Sequence, residues 1–511
     1  MEKYDRKISS TVQLPICDRI SNTEISGDHT LPDYQPEIKK LIRVSACVLP
    51  PSKYVNERQA TLTGNIDYYV VYIGNDNCVY CAPVSSEYKL EVPIEQNDLA
   101  EDAYITDFSE KVTVIPDMIS GRVTAPRRIN IKCRLRTRTQ IFGDSSIDEN
   151  AAYKDGETES LIGERDTVRF VSAVGDMLSL SDEMICESRD EDMRVVLADG
   201  RVLLCEVNAL GGAVTCRGDL YLKLLLCRDD GSSPYAVTRK IPISQSIPLD
   251  GAEANSGLSA RGSVVEMNIT VEEGRIGISA GVLIEVEACI KEKVRYLKDV
   301  YSTERKADNG YKTVPIAESG TAVVGNFTLS DSRSLEEVGI GANSRVIDVS
   351  GVAYPEEYDL GDGKCAILGR ARFFILYERD GEYSSSEIEL PFSYKTSAVG
   401  DFDRAHFACD VISARTRIDG ERIGIDAEVL VSGVASAYVN EEMLESVGFG
   451  DERERGRGEI VICYPSPDDT LWSVAKRYGA KLETLAENNG IDVSSPPDDK
   501  KLLDGVKYLV V

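Results

Sequence analysis

Arg128-Ile-Asn-Ile131, Arg275-Ile-Gly-Ile278 and Arg422-Ile-Gly-Ile425 share the pattern Arg-Ile-x-Ile, and successive copies are 147 residues apart both times. Their surroundings repeat as well. A Gly-led apolar run precedes each copy: Gly64 to Tyr72, Gly218 to Leu226, and Gly369 to Tyr377. Each run enters a polar, Gly-containing turn, a hairpin signature. A returning strand then reaches Pro93-Ile94, Pro242-Ile243 or Pro391-Phe392. Farther upstream, Glu24 to Pro32, Met177 to Met184 and Asn326 to Ser332 open the copies with related segments. A period this long, with strands at spacings typical of an all-β domain and little helix, points to tandem β-rich domains. The expected borders are 1–158, 159–311 and 312–452, with Gly143 to Ser160, Asp308 to Tyr311 and Asp451 to Gly458 as polar connections. The clearest helix expected in this region is Tyr34 to Ile42, with Pro36 in its first turn.

The last stretch, 459–511, has another character. Thr470 or Asp469 can cap a helix carrying Leu471, Val474, Ala475 and Tyr478 on one apolar face. Leu482, Leu485 and Ala486 form a second short stripe, which Gly490 can end in the left-handed conformation. Strands on either side give the order β-α-α-β. Trp472, the only Trp of the chain, lies one step off the first stripe, which leaves it to half-buried packing or to a partner contact.

This block, Pro-x-Asp-Thr-Leu-Trp-Ser-Val-Ala-Lys-Arg-Tyr-Gly followed by Asn-Asn-Gly-Ile, resembles a LysM domain. The resemblance implies a shallow groove for N-acetylglucosamine-containing glycan or a protein partner. Its loops would be Asp469, Thr470 and Leu471, with Trp472 beside them, and Asn488, Asn489, Gly490 and Ile491. Asp468 stands where the family usually has Gly, which adds a carboxylate at the groove mouth and disfavours anionic wall polymers. The upstream repeats resemble the SPOCS domain, most clearly through Leu31-Pro-Asp-Tyr-Gln-Pro-Glu-Ile-Lys-Lys-Leu-Ile42. SPOCS domains occur in spore-coat-associated proteins of sporulating Firmicutes. Several such units ending in LysM are similar to the clostridial coat morphogenetic proteins that tether the coat's ATPase scaffold to the forespore. The resemblance therefore implies a mainly β chain of three tandem SPOCS-like domains plus LysM, acting as a scaffold in the mother cell at the forespore surface. A peptidoglycan-binding accessory of a cell-wall enzyme is the alternative.

Charge and chemistry agree with a non-enzymatic role. The formal charge of −28 argues against nucleic acid as a partner. Nothing behind Met1 reads as a signal peptide, and no apolar run is long enough to span a bilayer. Only two histidines occur, His29 and His406, in non-equivalent places, and a surface or capping role is expected for both. Cys78-Val-Tyr-Cys81 lacks two further ligands at zinc-site spacing, so no metal or cofactor is expected. The scattered thiols, Cys133, Cys205, Cys227 and Cys289 among them, read as small buried side chains. One strand is unusual: Arg128, Lys132, Arg134, Arg136 and Arg138 alternate with apolar residues, a basic face that suits salt bridges between repeats, solvent, or an acidic partner.

Overall fold

The computed structural model describes residues 9–95, 105–148, 157–185, 193–228, 233–272, 274–453, 460–492 and 495–511. Strands dominate. In the first unit these are β1 (Ser9–Thr30), β2 (Ile38–Val48), β3 (Ser52–Val55), β4 (Gln59–Gly74), β5 (Val79–Pro93), β6 (Ile105–Ala125) and β7 (Arg128–Asp148). The second holds β8 (Thr158–Val174), β9 (Leu178–Ile185), β10 (Met193–Leu210), β11 (Ala213–Arg228), β12 (Tyr235–Pro248), β13 (Gly257–Glu272) and β14 (Arg275–Ser302). The third holds β15 (Arg305–Ser334), β16 (Arg345–Asp359), β17 (Ala366–Arg379), β18 (Glu382–Lys395), β19 (Arg404–Asp419) and β20 (Arg422–Glu452).

Each unit stacks two antiparallel sheets of the same connectivity. One sheet is β1-β7-β6, with counterparts β8/β9-β14-β13 and β15-β20-β19. The other is built on β2-β4-β5, with counterparts β10-β11-β12 and β16-β17-β18. Every Arg-Ile-x-Ile opens the central strand of its first sheet. Ile129 and Ile131, Ile276 and Ile278, and Ile423 and Ile425 all face the core. Alternation puts these isoleucines against the second sheet, as with Ile66, Tyr68, Val70 and Tyr72 in the first unit.

Several expectations need correction. Tyr34 to Ile42 is no helix, because β2 begins at Ile38 and pairs with β4. Pro36 contributes its carbonyl to the Tyr72 hydroxyl at 2.9 Å. Pro93 is not the counterpart of Pro242 and Pro391: Gly64 pairs with Tyr88, whereas Gly218 pairs with Ile243 and Gly369 with Phe392. The expected border at 311/312 falls inside β15. The Asp229-Asp230-Gly231 turn and most of the connection before LysM lie outside the described residues. Cys205 is exposed rather than buried, since it is the extra residue of a bulge between Leu204 and Glu206.

The three units meet around a common axis. Val71, Leu225 and Leu376 each stand seven residues past their leading glycine and share one apolar cluster. Bulged residues from β2, β10 and β16 join them: Ile42, Val196 and Ile347. Polar contacts tie the same junctions. Gln13 exchanges two 2.9 Å hydrogen bonds with the Phe170 backbone, Arg261 grips Asp410 with two at 2.9 Å, and Thr113 meets His406 at 2.8 Å.

Candidate functional site

The C-terminal module is small: β21 (Ile462–Cys463), α1 (Leu471–Tyr478), α2 (Leu482–Asn489) and β22 (Leu509–Val510). Thr470 caps α1 reciprocally: the Ser473 amide donates to Thr470 Oγ1 at 3.0 Å and the Thr470 amide donates to Ser473 Oγ at 2.9 Å. Gly479 and Gly490 end the two helices with φ of 65°, a backbone conformation a side chain would strain. Leu471, Val474, Ala475, Leu485 and Ala486 form the module's core with Cys463 and Leu509.

The expected helix face is wrong in one place. Tyr478 is 41% exposed, while Trp472 is only 5% exposed. The reason lies in another unit. Trp472 packs edge-on against Tyr301 of β14 at 4.8 Å, and its Nε1 donates to Asp299 Oδ2 at 2.8 Å. One turn later Lys476 donates to both Asp299 oxygens at 2.7 Å. Asp299 also accepts from Tyr311 and Asn309 at 2.8 Å each. Burial alone would raise its carboxyl pKa, but the bonds from Lys476, Trp472 and Tyr311 outweigh this and hold it below the usual aspartate value. The Tyr301 hydroxyl donates to the Ala480 carbonyl at 2.8 Å, and Lys298 pairs with Asp498 at 2.6 Å. The module is therefore docked on its own chain by α1 and the α1–α2 connection.

That arrangement sorts the groove residues. Asp469 is held low in pKa, first by its hydrogen bond from Arg477, and it also accepts from the Ser466 amide at 2.9 Å. Leu471 is core, and Thr470 is engaged as the cap. Asn489 is taken up by the last strand: it donates to the Leu485 and Val510 carbonyls at 2.8 Å and accepts from the Val510 amide at 2.7 Å. Asn488 and Gly490 are exposed, and Ile491 is half-buried against the module's core. Trp472 is not a free anchor for an outside partner, because its ring and its Nε1 are both engaged within the chain. Asp468 also differs from expectation. Its side chain is 91% exposed and its carboxylate pairs with Lys500 at 2.8 Å, so it projects to solvent with its charge offset.

The model of the LysM domain matches residues 466–497. The C-terminal module is a LysM domain. The LysM assignment points to peptidoglycan or related glycan as its ligand. No curated protein matches the chain. No solved structure matches it either.

Outside LysM, the basic strand is matched by acids of its own unit. Lys132 pairs with Glu24 at 3.5 Å, Arg134 with Asp117 at 2.6 Å and Arg138 with Asp18 at 2.8 Å. These acids sit on β1 and β6, the strands flanking β7, so the expected bridges between repeats are instead bridges within one sheet. Arg128 is exposed and Arg136 half-buried on the same face. His29 lies half-exposed over Tyr68, at 5.7 Å between rings. His406 is no surface residue. It is buried at the axis, and desolvation, then the nearby Arg138, Lys111, Lys53 and Arg261, push its pKa far down. Burial raises the Cys81 thiol to about 12. Among the described residues no cluster of three or more metal-ligating side chains occurs, and no helix is long and apolar enough to cross a membrane.

Proposed function

We propose that the chain is a non-enzymatic scaffold of spore-envelope assembly, in which LysM engages an N-acetylglucosamine-containing glycan and the SPOCS-like β units contact a coat protein. The observation carrying this reading is the docked LysM module: its α1 edge is used within the chain, while Asn488, Gly490 and the Asp468 turn stay open. A neutral sugar needs amide and backbone hydrogen bonds beside small apolar surfaces, which suits that rim. The ion pair of Asp468 with Lys500 removes much of the repulsion expected toward a wall polymer. The coat partner in this reading is the morphogenetic ATPase scaffold, and the site of action is the mother-cell face of the forespore, both drawn from the SPOCS resemblance. The rival, an accessory to a cell-wall enzyme, is favoured by the LysM match itself.

Sedimentation with insoluble chitin and with purified peptidoglycan tests the glycan step. The full chain should be retained, and Asn488→Trp, which adds bulk to an exposed rim position, should weaken retention at least tenfold. Equal retention of the variant, or none by the parent, would remove the glycan reading. A fluorescent fusion then separates the two roles. Signal around the forespore supports the scaffold, and signal over the vegetative wall supports the accessory.

A further inference from the structure

The three units carry the same bulge at the same place. Asp117 in β6, Val265 in β13 and Ile412 in β19 are the extra residues of their strands. Each falls opposite the step between the fifth and sixth residues past the first isoleucine of Arg-Ile-x-Ile: Arg134 and Leu135, Gly281 and Val282, Glu428 and Val429. What the neighbouring unit brings to that bulge differs. Arg372 of β17 crosses from the third unit to the first and donates to the Asp117 carbonyl at 2.7 Å. Glu387 and Glu389 balance its charge at 3.0 and 3.1 Å. Arg372 stands three residues past Gly369, and the same position is Tyr221 in the second unit and Asp67 in the first.

Between the second and third units, Tyr221 packs into the apolar cluster of Ile412, so its own ring takes the place. A cavity of about 570 Å³ remains beside it, but five basic side chains line it against three acidic ones, which repels a cation. Between the first and second units the place is open. Asp67 and Val265 both line a cavity of about 420 Å³. Four carboxylates, Asp67, Asp199, Glu266 and Asp348, stand there against Arg43, Arg201 and Lys223. Arg201 pairs with Asp199 at 3.1 Å and Lys223 with Asp348 at 2.7 Å, and the charges of both these carboxylates also act on Arg43. Asp67 and Glu266 have no hydrogen bond or ion pair among the described residues. The cavity is thus one cation short, where the equivalent junction has Arg372.

Tyr69, two residues along β4 on the same strand face as Asp67, adds an aromatic ring to the lining. A carboxylate beside an aromatic ring suits the flat, forked guanidinium better than a compact ammonium. We propose that this cavity binds one guanidinium group, an arginine side chain of a partner protein, which pairs with Asp67 and reaches the Val265 backbone as Arg372 reaches that of Asp117. The partner's identity rests on the protein contact proposed above for the β units, whereas the site itself rests on the junction.

Isothermal titration of the full chain with the peptide acetyl-Gly-Arg-Gly-amide, and with its lysine and citrulline counterparts, tests this. The arginine peptide should bind one per chain, at least fivefold more tightly than the lysine peptide, and the uncharged citrulline peptide should not bind. Asp67→Asn should weaken the arginine peptide at least tenfold. Asp67→Arg supplies the guanidinium from the chain itself, as in the third junction, and should abolish binding while the urea midpoint stays at or above the parent's. Arginine amide bound as tightly as the peptide would support the site and identify a small guanidinium compound as a sufficient source. No binding of the arginine peptide, equal binding of the lysine peptide, or unchanged affinity in either variant would overturn the proposal. None of these results bears on where the chain acts in the cell, which the fluorescent fusion decides separately.

Discussion

Replacing Trp472 by Ala removes the ring that meets Tyr301 and leaves Asp299 without one of its donors. Truncating a buried aromatic of this kind costs about 3–5 kcal/mol. LysM should stay folded, because Leu471, Val474 and Leu485 are untouched, but it should leave the β units. Hydrogen exchange at residues 298–302 would then accelerate, and protection there equal to the parent's would refute the docking role. The same contact should be sensitive to acid. Asp299 has a folded pKa below its unfolded value, so its contribution is complete above about pH 4 and fades as pH falls through the folded value. His406 acts in a different window. A histidine held neutral by burial takes up its proton more readily when unfolded, so stability is complete above about pH 6.5 and declines below it. Urea midpoints measured from pH 7.5 to 5.5 should fall, and His406→Gln should flatten that slope.

At the scale of strands, the bulge opposite Gly218 is the most exacting feature. A Cβ there would lie 2.0 Å from the Leu203 carbonyl, whose strand carries the bulge that turns Cys205 outward. Gly218→Ala should therefore cost about 1–3 kcal/mol in urea unfolding, the usual penalty of forced overpacking. Gly212→Ala meets no atom within 4 Å and strains only its own φ of 78°, so it should cost less, about 1 kcal/mol. A smaller loss at Gly218 than at Gly212 would contradict the close approach. The alternation around Arg-Ile-x-Ile was readable in the sequence because period two is a local property. The failures were all non-local. Tyr34 to Ile42 has helical composition but is claimed by β4, whose pairing with β2 absorbs two bulges. Pro93 resembled Pro242 in order along the chain but not in register. Trp472 and Tyr478 exchanged roles because the surface covering one of them belongs to β14, some 170 positions earlier. Of the groove, the cap and the terminating Gly490 were legible, while the pairing of Asp468 with Lys500 depends on a loop beyond α2.

At the scale of the whole molecule, three copies of one topology surround an axis that identical residues do not line. The cross-strand partners of Val71, Leu225 and Leu376 are Arg43, Leu197 and Asp348. All six border a void of about 10 Å³ at the centre. Asp348, 3% exposed at its side chain, holds Lys223 of the second unit at 2.7 Å and also raises the pKa of Arg43 through its charge. One carboxylate thus links three units, and its removal strands two cations. Asp348→Asn should cost about 3–5 kcal/mol, the range for a buried pair broken on one side. The unpaired lysine rather than the lost contact dominates that figure. Replacing all three groups, as Arg43→Leu, Lys223→Met and Asp348→Leu together, gives the axis the leucine that the second unit already carries. Buried ion networks exchanged for packed apolar side chains are often neutral or stabilising, so the triple variant should recover most of the stability lost by Asp348→Asn. Equilibrium urea unfolding of the parent and both variants decides the matter. A triple variant no more stable than Asp348→Asn would mean that packing around the axis, not charge balance, sets how the three units are held together.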